Sequence, residues 1–203
     1  MKISFISTVL NEEKSVGKFI NSIINQSVKP DEVIIVDGGS ADNTLSAISN
    51  FRSQISNKRI KLKIIVKKGN RSIGRNEAIK NAKNENIACS DSGCILNKNW
   101  IKNITQPFSD QNVDVVAGYY RGKSSSIFEK CLIPYVLVMP DQVDPDNFLP
   151  SARSIAFKQS IWKKAGKFDE KLSICEDYAF ANTLKKMGAK MVLQKDAIVS
   201  WIP

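Results

Sequence analysis

The sequence predicts an α/β domain in which a doubly wound, mainly parallel sheet carries helices on both faces, and three observations predict it. Runs of β-branched residues alternate with amphipathic segments along the first half of the chain. The strand runs are apolar at consecutive positions, so both of their faces need covering. Polar residues and glycines gather where those runs end, which is where open α/β sheets bind ligands.

Residues 3–10 read as the first strand. After Asn11 the apolar positions become Val16, Phe19, Ile20, Ile23 and Ile24, one face of a helix. A second strand, 32–36, ends in Asp37-Gly38-Gly39-Ser40, whose glycines permit a sharp turn. Asp42 is then placed to cap one helix carrying Leu45, Ile48, Phe51 and Ile55. A third pair follows as strand 62–66 and helix 72–82, and a fourth strand, 86–90, opens onto Asp91-Ser92-Gly93. Residues 113–119 give a further strand. Periodicity then fades over 121–150, where Pro134, Pro140, Pro145 and Pro150 mark a partly helical, mobile excursion. Regular structure resumes over 154–157. A short helix precedes Gly166, and a longer one starts near Glu176, carries Phe180, Leu184 and Met187, and stops at Gly188.

A chain of 203 residues, 42% of them hydrophobic, supports one domain with a substantial core. Thirty Lys and Arg against 20 Asp and Glu give a formal charge of +10, which favours polyanionic neighbours such as nucleotide phosphate or anionic lipid. Most of that charge is spread singly over predicted helix faces and loops. The chain has no His, and Cys89, Cys94, Cys131 and Cys175 form no CxxC pair, so zinc chemistry is excluded. The first ten residues form a strand rather than an export signal, and the apolar stretch around 136–139 is short and broken by prolines. The expectation is a soluble cytoplasmic protein with reduced thiols. A nucleic-acid partner is not expected, because no aromatic stacking platform or recognition motif accompanies the charge.

In this architecture the polar residues to watch are Ser7, Thr8, Asp37, Arg71 and Asp91. Asp37 either meets a base or ribose hydroxyl or bonds the amides of its own turn. Asp91 repeats the situation one strand along, so the two carboxylates could face one crevice and share a nucleotide and a divalent cation, Mg²⁺ or Mn²⁺. Residues 69–76 come close to a phosphate-binding P-loop, but Arg75-Asn76 stands where that motif needs Lys followed by Ser or Thr. Arg71 and Arg75 supply planar donors for base or phosphate, with the bridging of loop carboxylates as the structural alternative. Glu176 and Asp177, at a helix start, serve either as capping anions or as a general base. Being consecutive, they diverge around the helix, which argues against the paired carboxylates of a glycosidase.

Five segments occur in an order that resembles the GT-A glycosyltransferases of family 2: Ser7-Thr8-Val9-Leu10-Asn11-Glu12-Glu13, Val36-Asp37-Gly38-Gly39-Ser40, Gly74-Arg75-Asn76, Asp91-Ser92-Gly93 and Glu176-Asp177. Residues 151–157 and Gly166-Lys167-Phe168-Asp169-Glu170 resemble that family's acceptor-side segment, which contains Arg153 and Ser154. The resemblance implies one GT-A domain with a nucleotide-sugar half over 1–118 and an acceptor and catalytic-base half over 119–203. It implies inverting transfer from a nucleotide-diphosphate sugar, a UDP-sugar favoured, to a hydroxyl of a glycan or lipid-linked acceptor. With the basic charge, it places the enzyme at the inner face of a membrane in peripheral contact.

The nucleotide pocket it implies comprises Ser7, Thr8, Glu12, Asp37, Gly38, Arg71, Arg75, Asp91 and Ser92, with Asp37 at the base. Asp91 corresponds to the first acid of the DxD motif and would be the metal ligand for Mg²⁺ or Mn²⁺. Asp177 would deprotonate the acceptor, with Glu176 supporting it. Two departures accompany the match. Gly93 replaces the second DxD acid, and Val199-Ser200-Trp201-Ile202-Pro203 carries a Trp-x-Pro ending in place of a metal-binding His. Both resemble a subgroup with an Asp-x-Gly-Cys motif, here Asp91-Ser92-Gly93-Cys94. The chain is expected to continue beyond residue 203. A nucleotide-sugar-binding module without turnover is the alternative, resting on Gly93 and the C-terminal end.

Overall fold

The β-branched run at the N-terminus forms strand β1 (Ile3–Val9), buried almost throughout because helices cover both of its faces. The computed structural model describes residues 1–124 and 126–201. Helix α1 (Val16–Ile24), strand β2 (Glu32–Asp37), helices α2 (Thr44–Ser49) and α3 (Arg52–Asn57) and strand β3 (Lys61–Val66) follow. Next come α4 (Arg71–Lys80), β4 (Asn86–Cys89), β5 (Cys94–Leu96) and α5 (Trp100–Thr105). The second half contributes β6 (Val115–Gly122), α6 (Ile127–Val136), β7 (Ile155–Lys158), α7 (Gln159–Lys164), α8 (Glu176–Lys186) and β8 (Met191–Trp201).

The eight strands of the described residues join one sheet in the order β3-β2-β1-β4-β7-β6-β8-β5. The block β3-β2-β1-β4 is parallel, as is the pair β6-β8, while β7 and β5 run antiparallel to their neighbours. Successive residues of the parallel strands point to opposite faces and feed two separate cores. On one face Phe5 and Ile35 meet Phe19 of α1, Ile48 of α2 and Trp100 of α5. On the other Ile6 and Ile34 meet Ile79 of α4, Trp162 of α7 and Phe180 of α8. The Phe5 ring lies 6.1 Å from Phe19 and 6.0 Å from Trp100, contacts in the range where aromatic pairs attract. The doubly wound α/β class expected from sequence is therefore the observed one. Among the described residues no helix is long and apolar enough to cross a membrane.

Several elements differ from the sequence reading, each for a local reason. The single helix expected after Asp42 is two, α2 and α3, parted at Asn50 and Phe51. Ser49 and Asn50 have short polar side chains that compete for backbone groups and weaken a helix there. Asn43 takes the N-cap position of α2, while Asp42 Oδ1 accepts from the Thr44 amide at 3.0 Å. Strand β6 runs three residues past 119, and the excursion after it holds α6, closed by a reciprocal Ser126–Glu129 capping box and burying none of its residues. Elements β5, α5 and β8 were not anticipated. The first two are only three and six residues long, and the apolar run of β8 is interrupted by the polar Gln194-Lys195-Asp196.

That interruption coincides with a register shift between Gly118 and Tyr119 on β6. Gly118 sits where three elements converge: a Cβ there would meet Ser154 Oγ at 2.0 Å, the Ala197 carbonyl at 2.7 Å and Ile104 at 2.9 Å. Because one of those neighbours is backbone, the clash cannot be relieved by a rotamer change. Gly118→Ala is expected to destabilise the protein by about 1–3 kcal/mol, read as a lower urea midpoint with an unchanged slope.

Candidate active site

The carboxyl ends of β1, β2 and β4 lie side by side, with Val9 opposite Asp37 and Ile6 opposite Cys89. The loops that leave these ends enclose a cleft of about 550 Å³. Of the residues named from sequence, Thr8, Glu12, Gly38, Arg71, Asp91, Ser92 and Arg153 line it. Glu12 Oε1 accepts from the Ser92 hydroxyl at 3.1 Å, tying the β1 loop to the β4 loop across the floor.

Five of the named residues stand behind the wall of this cleft rather than on it. Ser7 is buried and donates to the Ser90 carbonyl at 2.7 Å. Ser154 accepts from Trp100 Nε1 at 2.8 Å and donates to the Ala197 carbonyl at 3.1 Å. Asp37 is fully buried, and its own turn occupies it: Oδ1 accepts from the Gly39 and Ser40 amides at 2.9 and 2.8 Å, and Oδ2 accepts from the Ser40 hydroxyl at 2.6 Å. Of the two readings of Asp37, the turn-forming one describes its contacts. It folds the loop that presents Gly38 to the cleft, with Gly39 at a φ of +102° that glycine adopts without strain.

Arg75 and Glu176 are the other two. Arg75 is 1% exposed and does not reach the cleft surface. Its Nη2 donates to Asp91 Oδ1 at 2.7 Å and its Nη1 to Glu176 Oε1 at 2.5 Å, so it is the carboxylate-bridging arginine that formed the alternative in the sequence. Burial disfavours its cation, but Asp91 and Glu176 outweigh that and hold the guanidinium charged. The bridge joins the middle of α4, the loop after β4 and the first residue of α8. Cys175, at a φ of 59°, turns the chain into α8 so that Glu176 points inward to Arg75.

Asp177 diverges from Glu176, as consecutive helix positions must, and faces a neighbouring pocket of about 480 Å³ that shares Arg153 with the cleft. Its Oδ2 accepts from the Ser151 hydroxyl at 2.9 Å and the Ala152 amide at 3.1 Å. Burial works against its charge, but the Ala152 amide, the Ser151 hydroxyl and Arg75 together hold its carboxyl below the ordinary value of 3.8. Asp177 is ionised throughout the neutral range.

Sequence reasoning missed the residues that assemble these pieces. Asn76 uses all four of its hydrogen-bonding positions: it donates to the Phe168 carbonyl and to Glu170, and accepts from Trp162 Nε1 and the Phe168 amide. Asn70 caps α4 through Ile73 and donates to the carbonyls of Glu170 and Leu172. The signals were the place of both in residues 69–76 and, for Asn76, the family-like segment Gly74-Arg75-Asn76, neither of which revealed a partner about a hundred residues away. Trp201 also lines the cleft. The rest of the Trp-x-Pro ending, Ile202 and Pro203, lies outside the described residues.

The residues present do not fit a cation held by protein carboxylates. Asp37 turns both oxygens to its own loop, so the expected pairing of Asp37 with Asp91 around a shared ion is not formed. A Cβ at Gly93 would meet nothing within 4 Å, so open space stands where a second acid would be. Among the described residues no three His, Cys, Asp or Glu side chains gather to hold a metal.

This sheet, with its cleft at the carboxyl ends of the parallel block, is the GT-A class of glycosyltransferase fold. The chain belongs to glycosyl transferase family 2, whose family model matches residues 4–160. It is 27% identical over 169 residues to the poly(ribitol-phosphate) beta-N-acetylglucosaminyltransferase TarP of Staphylococcus aureus, covering 80% of this chain and 50% of TarP. It thus spans half the length of that relative. Residues 1–349 of S. aureus TarS in complex with UDP superpose with a TM-score of 0.75 at 22% identity, over 100% of this chain and 61% of that one. The mannosyltransferase PcManGT of Pyrobaculum calidifontis, in complex with GDP-Man and Mn²⁺, gives 0.76 at 18% identity, over 98% and 56%.

Replacing Arg75 by Met leaves Glu176 buried and both carboxylates unpaired. The substitution is expected to cost about 3–5 kcal/mol in urea denaturation, and Arg75→Met/Glu176→Gln should recover part of the loss because the second change removes the stranded charge.

Proposed function

We propose that the chain is an inverting glycosyltransferase that moves a sugar from a nucleotide-diphosphate sugar, a UDP-sugar favoured, to a hydroxyl of a glycan or lipid-linked acceptor. One observation carries the reading: the cleft and the pocket holding the ionised Asp177 meet at a shared residue, Arg153. A donor in the first and an acceptor in the second would bring the two reacting atoms together at that junction.

In this reading Thr8, Glu12, Gly38 and Arg71 receive the nucleoside, and Asp91 and Ser92 lie toward the ribose and diphosphate. Asp37 acts through the turn it folds, and Arg75 and Glu176 act by holding Asp91 and the start of α8. The acceptor hydroxyl gives its proton to Asp177 as its oxygen attacks the anomeric carbon from the side opposite the diphosphate. The bond from that carbon to the phosphate oxygen breaks, and the configuration inverts. An oxygen anchored by Ser151 and Ala152 supports this role for Asp177, since a base must be oriented as well as ionised.

The Asp-x-Gly-Cys subgroup belongs to the same proposal. So does a polymeric or lipid-linked acceptor at the inner face of a membrane, supported by the +10 charge and by the exposed Ile127, Phe128 and Tyr135 of α6.

The test uses UDP-N-acetylglucosamine and UDP-glucose as donors and poly(ribitol phosphate) as acceptor, after a thermal-shift screen of nucleoside diphosphates. Asp177→Asn is expected to lower kcat by about 10²–10⁴-fold while UDP affinity stays within about twofold. Because the base works ionised and its pKa is depressed, activity should hold as pH falls toward 3.8 and be lost only below it. An acid limb above the ordinary carboxylate range, or wild-type turnover by Asp177→Asn, would assign the base elsewhere.

A further inference from the structure

We infer that Arg153 binds the donor's diphosphate and offsets the charge that builds on it as the sugar departs. This rests on the donor reading above, and it gives the cleft a charge-neutralising group that its carboxylates do not supply through a cation.

The argument starts from a deficit. A diphosphate brought beside Asp91 and Glu12 adds anionic oxygens to a wall that already carries two carboxylates. Gly93 leaves no second acid with which Asp91 could hold a divalent cation, so the offsetting charge must come from another source. Arg75 is unavailable, since it is buried and both ends of its guanidinium are bound to Asp91 and Glu176. Two other arginines line the cleft, Arg71 and Arg153.

Their positions separate them. Arg71 opens α4, beside Gly69 and Asn70 on the β2–β3 side. Arg153 precedes β7 and lines both the cleft and the Asp177 pocket. The bond that breaks must lie between the nucleotide and the base that activates the acceptor, so the leaving oxygen falls on the Arg153 side.

The side chain is prepared for that task. Among the described residues its guanidinium makes no hydrogen bond or ion pair; instead its Cζ lies 5.7 Å from the Tyr120 ring centroid and 5.3 Å from that of Trp201. Such contacts take up none of its N–H groups, and all five remain for an oxyanion, the fork that suits phosphate. Tyr120 is in turn stacked on Tyr119 at 5.7 Å and packed near Phe148 at 6.2 Å, so the aromatic support is itself held. Ordering the side chain in advance reduces the entropy lost on binding.

The step balances without a proton transfer at Arg153. As the bond from the anomeric carbon breaks, its electron pair goes to the diphosphate oxygen, and Arg153 donates hydrogen bonds to that anion while keeping its own protons. Trp201 acquires a role through this arrangement, as a positioning residue.

Calorimetric titration of the 203-residue chain in EDTA, with UDP and with uridine, tests the inference. Arg153→Met should weaken UDP by about tenfold or more and uridine by no more than about twofold. Arg153→Lys should retain part of the UDP affinity as a point charge without the fork, and Trp201→Leu should lose less than Arg153→Met. Should Arg153→Met also lose uridine, the same comparison is read on Arg153→Gln.

UDP binding that survives removal of the guanidinium overturns the inference and leaves the donor reading intact. So does wild-type UDP binding that appears only with Mn²⁺, or a loss confined to poly(ribitol phosphate), which would make Arg153 a ligand for acceptor phosphate. Absence of binding by the wild-type chain to any nucleoside diphosphate or its sugar, with or without Mn²⁺, overturns both.

Discussion

A single buried guanidinium organises this molecule. Arg75 reaches Asp91 at the end of the parallel block and Glu176 at the start of α8, residues 16 and 101 positions away in the chain. Burying Arg75 and Glu176 carries a large desolvation cost, while Asp91 stays partly exposed at the cleft, and one guanidinium nitrogen, Nε, is left without a partner among the described residues. The arrangement holds because the two carboxylates approach from different elements and neither can leave without stranding a charge. Phe168 closes the same site from below, with Arg75 Cζ 5.6 Å from its ring centroid. The position of Asp177 is thereby tied to that of Asp91, although the covalent path between them runs through all the residues from 91 to 177.

The asparagine beside that arginine performs a parallel task with hydrogen bonds. Asn76 holds the turn Gly166-Lys167-Phe168-Asp169-Glu170 against α4, while Asn70, at the N-cap of the same helix, holds Glu170 and Leu172. Helix α4 thus gathers the first half of the fold and the segment leading to α8. The helix itself comes close to β1 because position 74 is glycine, where a Cβ would meet Thr8 Cγ2 at 2.6 Å. Close packing, charge pairing and amide pairing on one short helix decide where the cleft stands.

Much of the framework was legible in the residue order. The parallel strands announced themselves because burial on both faces demands unbroken apolar runs, as in Val33, Ile34, Ile35 and Val36. The elements that escaped notice lack such a run: β5 has three residues, and the apolar run of β8 is divided by Gln194-Lys195-Asp196, of which Lys195 and Asp196 are exposed where the register shifts after Gly118. Pattern reasoning also identified Thr8, Arg71 and Asp91 among the polar residues of the site, and the family resemblance added Glu12 and Arg153. It did not separate those that line the cleft from those that support it, since Asp37 and Asp91 both follow a strand and differ only in what surrounds them.

By itself, then, the sequence determined the doubly wound class, the parallel block and the set of polar groups delivered to its carboxyl edge, because these depend on local periodicity and on where apolar runs stop. Only the tertiary structure decided the division of labour among those groups. Asp37 is taken up by two amides and a hydroxyl of its own turn, Arg75 by two distant carboxylates, and Arg153 by two aromatic rings that leave its donors free. The physical reason is that a polar side chain's role is set by whether its bonding capacity is already spent, and the partners that spend it come from parts of the chain that folding alone brings together.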